Sequence, residues 1–343
     1  MIMPIWLQIP PSMAPHGVRL APARGASLCA LLLLLAGLAA GCRPAPSPTR
    51  AAAPDPAQLD AGRALEEVRA LVALGARDAG TDGARRAALH LAGRLRAFGI
   101  QAEIDGFSDG TPEGRKPFWN VIGECPARPG AGEAPWFFFG SHFDTKSGLG
   151  PRFEGANDSA SSSGLLLELA RGLQAGGPWP VNIGFLFFDG EECLREYGPA
   201  DGLHGSRRAA RQLVKDGRAG RTLAVLVLDM VGDRNLTVTV PRNGTPRLAA
   251  ALFRAAAAEG VRNRFSLMDG GLLDDHVPFL KAGIPATVMI DFEYGSAPGR
   301  NDYWHTEQDT LDKLSADSLG VAGRVAIRML EELMETRGSR PAQ

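Results

Sequence analysis

The sequence predicts one α/β domain built on a mostly parallel central sheet, and three observations carry that expectation. Short, almost wholly apolar runs of strand length recur along the chain. Helix-length stretches with helical spacing of apolar residues lie between them, and ionisable motifs sit directly after the apolar runs. Strands covered on both faces read as unbroken apolar runs, and alternation of strand with helix marks crossover-connected parallel strands. Functional groups in such sheets collect on loops at the carboxyl ends of the strands.

The elements follow in order. Apolar spacing predicts helices over Leu65–Leu74 and Ala84–Phe98, the second stopped by Gly99. Strands are expected at Asn120–Gly123, Trp136–Gly140, Val181–Phe188, Leu223–Leu228 and Ala286–Ile290. Helices fit at Ser159–Leu173, Gly205–Val214, Arg247–Glu259 and Ser315–Glu335. The alternation begins near Gln58, which assigns residues 58–343 to the domain.

Upstream, Arg19 and Arg24 precede the apolar run Leu28–Leu38, which meets Ala39-Ala40-Gly41-Cys42. A short apolar run behind positive charge is an export signal, too short to span a bilayer. Small residues before a cysteine resemble the lipobox at which bacterial leaders are cut and the cysteine is acylated. Residues 1–41 are therefore read as a lipoprotein-type signal peptide and Cys42 as the lipidated residue; residues 42–57, rich in Pro, Ala and Ser, are read as a flexible tether. The stretch ahead of Arg19 suggests that translation starts at Met13. A plain secretory signal with an incidental Cys42 is the other reading of the same leader. The expectation is an exported, periplasm-facing lipoprotein of the cell envelope, held to the outer or inner membrane by its anchor.

Bulk composition excludes little. With 45% hydrophobic and 22% charged residues the chain is an ordinary globular mixture, and a formal net charge of −1 gives no field for nucleic acid. Of four cysteines, Cys29 leaves with the signal and Cys42 is acylated, so Cys125 and Cys193 remain in the body. An oxidising compartment would allow them to pair, but their spacing does not require it.

Five segments carry ionisable residues after a strand or at a loop-to-helix junction: Ser141-His142-Phe143-Asp144, Gly155-Ala156-Asn157-Asp158-Ser159, Asp189-Gly190-Glu191-Glu192, Leu228-Asp229-Met230 and Trp304-His305-Thr306. Each alone has a bland reading. A histidine after a strand is usually a hydrogen-bond partner, a Glu-Glu pair a solvated face, and Asp158 before Ser159 a helix cap. Their ordered recurrence at successive strand ends points instead to a metal. Zinc needs three or four N, O or S ligands from separate loops, with an open position if it is catalytic. Asp158, Glu192 and His305 can supply one set; His142 and Asp229 can complete a second, with Asp158 bridging.

In that order His-Phe-Asp, Asn-Asp-Ser-Ala, Asp-Gly-Glu-Glu, Leu-Asp-Met-Val-Gly, Asp-Asp-His-Val-Pro-Phe and Trp-His-Thr-Glu-Gln-Asp-Thr resemble metallopeptidase family 28. That family holds bacterial leucyl-type aminopeptidases and animal-type glutaminyl cyclases, and the resemblance runs from Leu65 to the C-terminal helix. It implies a zinc aminopeptidase-like α/β sandwich whose central mixed, mostly parallel sheet is flanked by helices. The long path from Glu191 to Arg207 (with Tyr197 where cyclases carry Trp), His142 to Lys146, Asp274-Asp275-His276 and Trp304 before His305 are similar to the cyclase branch. Gln308-Asp309-Thr310 is nearer the peptidase ending, Leu273 stands where cyclases tend to have Gln, and Gly140-Ser141 removes the cysteine bridge of animal-type cyclases.

The resemblance implies a monomeric glutaminyl-peptide cyclotransferase that closes an N-terminal Gln of a peptide or protein to pyroglutamate and releases ammonia. One zinc on Asp158, Glu192 and His305 would polarise the amide carbonyl, and Glu191 would shuttle the proton. Asp229 and Asp274 would steady it, while Trp304, Tyr197 and Lys146 would line the substrate pocket. The alternatives are a two-zinc aminopeptidase using His142 and Asp229, and an inactive relative serving as an envelope binding protein.

Overall fold

The computed structural model describes residues 53–338. The predicted leader, Cys42 and the tether up to residue 52 lie outside the described residues. The end of the predicted tether is structured: Pro56–Gln58 forms a 3₁₀ turn in which the Asp55 carboxylate accepts the Ala57 N–H at 2.9 Å, and Pro56 is buried.

Two helices follow, α1 (Ala61–Val72) and α2 (Asp82–Ala97), each started by a side chain that caps it. Asp60 accepts from Arg63 N–H, and Thr81 accepts from the N–H groups of Gly83 and Ala84, satisfying donors that the first helical turn leaves open. Next comes a hairpin, β1 (Gln101–Thr111) with β2 (Gly114–Cys125), of which the sequence indicated only Asn120–Gly123. The missed strand alternates exposed and half-buried residues and carries Glu103, Asp105 and Asp109, so it never forms an apolar run.

β3 (Trp136–His142) leads through a π-helical turn, Ala156–Ser161, into α3 (Ser162–Gly176). Then come β4 (Asn182–Phe188), α4 (His204–Lys215), β5 (Thr222–Asp229), β6 (Val238–Val240) and α5 (Pro246–Ala258). The chain continues through β7 (Phe265–Leu267), α6 (His276–Lys281), β8 (Ala286–Ile290) and α7 (Ala316–Gly338). The short β6, β7 and α6 were not expected from sequence, being below the length at which a period can be read.

The main sheet has the order β1-β2-β4-β3-β5-β8. β4, β3, β5 and β8 run parallel, whereas β2 joins β4 antiparallel and so makes the sheet mixed. β6 and β7 form a separate parallel pair. Because side chains alternate along a strand, one run feeds two cores. Phe137, Phe139, Phe185 and Leu226 pack with α1, α2, α3, α5 and α7; Trp136, Phe138, Phe188 and Val227 pack with α4 and α6. That double cover is why β3 and β8 are buried along their whole length. It also leaves the parallel strands' carboxyl ends as the place where side chains can leave the core together.

One glycine is fixed by this packing. Gly184 of β4 lies opposite Phe138 of β3, and a Cβ there would stand 2.2 Å from the Phe138 ring. Gly184→Ala should destabilise the fold by about 1–3 kcal/mol through overpacking. Gly172→Ala in α3, where a Cβ meets nothing within 4 Å, should stabilise by about 0.5–1 kcal/mol. Urea midpoints of the two variants would move in opposite directions; equal midpoints would refute the packing argument.

Candidate metal centre and active site

The apolar strands deliver the ionisable groups to one place. His142 ends β3, Asp189 follows β4 and heads the Gly190-Glu191-Glu192 loop, and Asp229 ends β5. Asp158 comes from the π-helical turn before α3, Asp274 and Asp275 from the start of α6, and His305 from the loop after β8.

Donor atoms of Asp158, Glu192 and His305 converge. His305 Nε2 lies 2.9 Å from Glu192 Oε1 and 3.3 Å from Asp158 Oδ2. The other oxygen of Asp158 is 3.1 Å from His142 Nε2, which is 3.3 Å from Asp229 Oδ1. Two groups of possible ligands, Asp158–Glu192–His305 and His142–Asp158–Asp229, therefore share the two oxygens of one carboxylate, and within each group the donor atoms all lie within 4.8 Å of one another. Asp158 does not act as a side-chain cap of α3, whose start has no side-chain cap bond. Its own peptide bond to Ser159 is cis, and its φ of −107° departs from the helix around it.

Electrostatics shows what this cluster lacks. Burial pushes the Glu192 carboxyl up, and the Asp158 charge adds to that. Burial works against Asp158 too, but hydrogen bonds from His142 and His305 hold it far below the usual carboxylate range. His305 would be depressed by burial; its bonds to Asp158 and Glu192 instead raise it to about 9. The buried Glu192 Oε2, Asp229 Oδ1 and His142 Nδ1 have no hydrogen-bond partner. Glu192 Oε2 has only the Lys146 ammonium, at 3.6 Å, and Asp229 Oδ1 only His142 Nε2, at 3.3 Å, so these buried oxygens can still take a cation. With zinc bonds of about 2.0–2.2 Å, tetrahedral ligands stand about 3.3 Å apart, close to the separations seen here. The set fits zinc.

Glu191 occupies a different niche from its neighbour. Tyr197 donates its hydroxyl to both carboxylate oxygens, at 3.2 and 3.1 Å. Burial, and then the charges of Glu192, Asp275 and Asp274, push Glu191 well above the carboxylate range. Asp274 is raised in the same way by burial, Asp229 and Asp275. A carboxyl raised by burial and by neighbouring acids, beside a candidate metal site, is suited to acid–base work.

Trp304 stacks on His305 with ring centroids 4.0 Å apart and meets Phe292 at 5.2 Å, forming an aromatic side to the site. His305 itself has φ +54°, a backbone conformation unusual outside glycine, as does Met230 after Asp229 at φ +46°. Such strain gathers where a side chain must be aimed. Lys146 lies beside Glu192 and the Tyr197 ring. Its ammonium donates to the Cys193 carbonyl at 2.5 Å, lies 3.1 Å from Cys193 Sγ, and sits 3.6 Å from Glu192 Oε2, because buried carboxylates draw the cation inward. Cys193 and Cys125 are both free and buried, the latter against Gln174.

Several positioning residues escaped the sequence reading. Asp144 accepts the N–H groups of Glu191 and Glu192, at 3.1 and 3.0 Å. Asp309 accepts those of Asn157 and Asp158, at 2.7 and 3.1 Å, and the Tyr294 hydroxyl at 2.9 Å. Asp201 accepts from the backbones of Leu194, Arg195 and Glu196 and so holds the loop that carries Tyr197. Asp144 and Asp309 were findable, since they follow His142 by two residues and His305 by four; Asp201 had no distinguishing neighbour.

Three protein ligands leave none to spare. Asp158→Ala, Glu192→Ala and His305→Ala should each lose stoichiometric zinc after dialysis, read by elemental analysis of folded protein. Full retention by any one of them would remove that residue from the ligand set.

Residues 120–330 match the family model for peptidase family M28. A glutaminyl-peptide cyclotransferase-like protein of Bos taurus is 32% identical over 272 residues, 70% of this chain and 67% of its own length. The crystal structure of a glutaminyl cyclase from an Acidobacteriales bacterium superposes with a TM-score of 0.75 at 32% identity, covering 86% of this chain and 99% of that one. A Porphyromonas gingivalis glutaminyl cyclase gives 0.71 at 32% identity, covering 80% and 99%. The strand-end donor set, the mixed sheet that presents it and these likenesses lead to one conclusion: the chain belongs to peptidase family M28.

Proposed function

We propose that this protein is a glutaminyl-peptide cyclotransferase, closing an N-terminal glutamine to pyroglutamate with release of ammonia. The observation that carries the reading is the long loop after Glu192, similar to the cyclase branch, which brings the Tyr197 hydroxyl onto the buried Glu191 carboxylate. Relatives at 32% identity that bear the cyclotransferase and cyclase names support it.

In the reaction the substrate's α-amine attacks its own side-chain amide carbon, a C–N bond forms, and the bond to the amide nitrogen breaks. Zinc held by Asp158, Glu192 and His305 would supply Lewis-acid polarisation of that amide carbonyl. Glu191 takes the proton that the amine must lose and returns it to the departing nitrogen, so that ammonia leaves neutral. Asp274, itself raised by burial beside Asp229 and Asp275, adds to the negative surroundings that keep Glu191 able to hold the proton. The same negative field favours entry of a cationic N-terminus. Trp304 offers a flat apolar side against which the glutamine's methylenes can lie.

The second donor group, His142–Asp158–Asp229, favours one alternative, a two-zinc aminopeptidase in which Glu191 would activate water. The two readings separate in one assay on the purified full chain. A Gln-peptide should release ammonia with no free amino acid, and Leu-p-nitroanilide should stay intact; the reverse pattern, with two firmly held zincs, would install the aminopeptidase.

Adjacent substitutions divide the roles further. Glu191→Gln should slow cyclisation by about 10²–10⁴-fold with zinc content unchanged, since it removes a general acid–base group. Glu192→Gln should weaken zinc. A wild-type rate in Glu191→Gln would end the shuttle assignment.

We also propose that the protein is exported and held to a membrane by lipid on Cys42. Among the described residues no helix is long and apolar enough to cross a membrane. Cys42→Ala should move the protein from the membrane to the soluble fraction. A variant that still sediments through carbonate washing would show that something other than the lipid holds it.

A further inference from the structure

The largest fully buried side chain in the structure is a cation without an anion. Arg77, in the turn between α1 and α2, has no solvent exposure, and among the described residues it makes no ion pair at contact distance. Its guanidinium bonds carbonyl oxygens instead: Nε donates to Phe143 at 2.8 Å and Nη2 to Gly155 at 2.9 Å, with Nη1 at 3.4 Å from Gly75 and 3.5 Å from Glu154. Its own N–H donates to Thr145 Oγ1 at 2.9 Å, and that hydroxyl donates to Asp78 at 2.7 Å. Gly155 has φ +55°, and a Cβ there would lie 3.1 Å from Nη2 and 2.8 Å from the Asp158 carbonyl, so the close approach needs glycine.

The carbonyls it holds are informative. Phe143 immediately precedes Asp144, whose carboxylate receives the amides of Glu191 and Glu192. Gly155 opens the π-helical turn that carries Asp158. We propose that Arg77 is a positioning residue for the metal centre, its planar fork tying the loop that places Glu192 to the turn that places Asp158. Two of the three ligands thus take their relative position from one side chain that touches neither. The charge suits the location, because Asp309, Asp144 and Asp158 all act on it through space while burial lowers it to about 10. A fork of several N–H donors in one plane can serve two loops at once; an ammonium offers a single nitrogen.

The inference rests on Asp158, Glu192 and His305 being the ligands, and the test separates the two. Full-length wild type, Arg77→Met, Arg77→Lys and the core control Leu252→Ala in α5 would be stripped of metal and checked for folding by circular dichroism. Zn²⁺ affinity would be measured by competition with a chromophoric chelator, and Co²⁺ loaded as a visible-absorption probe of ligand geometry. Arg77→Met should bind Zn²⁺ about 10–100-fold more weakly than wild type, the scale expected for groups that orient ligands, and should shift the Co²⁺ bands. Arg77→Lys should fall between. Leu252→Ala, which lowers the melting temperature through a lost core contact, should leave affinity and spectrum unchanged. If Arg77→Met does not fold, Arg77→Lys decides: weaker zinc with altered bands supports the proposal, and wild-type behaviour overturns it. An Arg77→Met that matches Leu252→Ala in affinity and spectrum reduces Arg77 to a structural residue. Wild type that takes up no stoichiometric zinc overturns the ligand assignment itself and this inference with it.

Discussion

The structure at the strand ends is governed by the cost of gathering carboxylates away from water. A buried ionised carboxylate is tolerable only when hydrogen-bonded or paired. The fold meets that demand in two ways. Asp144, Asp201 and Asp309 are given backbone N–H groups, two or three each, and become fixed points from which loops hang. Asp158 and Glu192 face the imidazoles of His142 and His305, an arrangement that a metal would complete. The acids that shape the site and the acids that work in it are thus told apart by their partners, although all are Asp or Glu.

That distinction also explains what the sequence could disclose. The strands β3, β4, β5 and β8 were legible because burial on both faces leaves no place for a polar residue. His142 and Asp229 stood out because they interrupt that pattern at the ends of β3 and β5. β1 was not, since a half-exposed edge strand with Glu103, Asp105 and Asp109 carries neither an apolar run nor a clean alternation. Arg77 was invisible for another reason. The partners of its guanidinium are carbonyl groups, which every residue type possesses, so no spacing of side chains announces it.

The long loop after Glu192 joins sequence to chemistry most directly. Its length was the main feature separating this chain from the peptidase pattern. In the structure Gly198 and Asp201 pair across it, and Arg207 holds the Gly198 and Pro199 carbonyls at 2.9 and 3.0 Å. Those contacts give the loop a fixed shape and bring the Tyr197 hydroxyl to Glu191. An insertion that reads as a spacer in sequence is, in three dimensions, the arm that supplies a hydrogen-bond donor to the Glu191 carboxylate.

The sharing of Asp158 has a consequence for how many cations the centre can hold. One oxygen serves His142 and Asp229, the other His305 and Glu192. A cation seated on either side draws electron density from the carboxylate and repels a second cation across a gap of one residue. Were both positions filled, the two cations would repel each other across that one carboxylate, so that filling one would weaken the hold on the other. The number of cations such a centre holds would then depend on the surroundings of one carboxylate, and not only on which ligand residues are present.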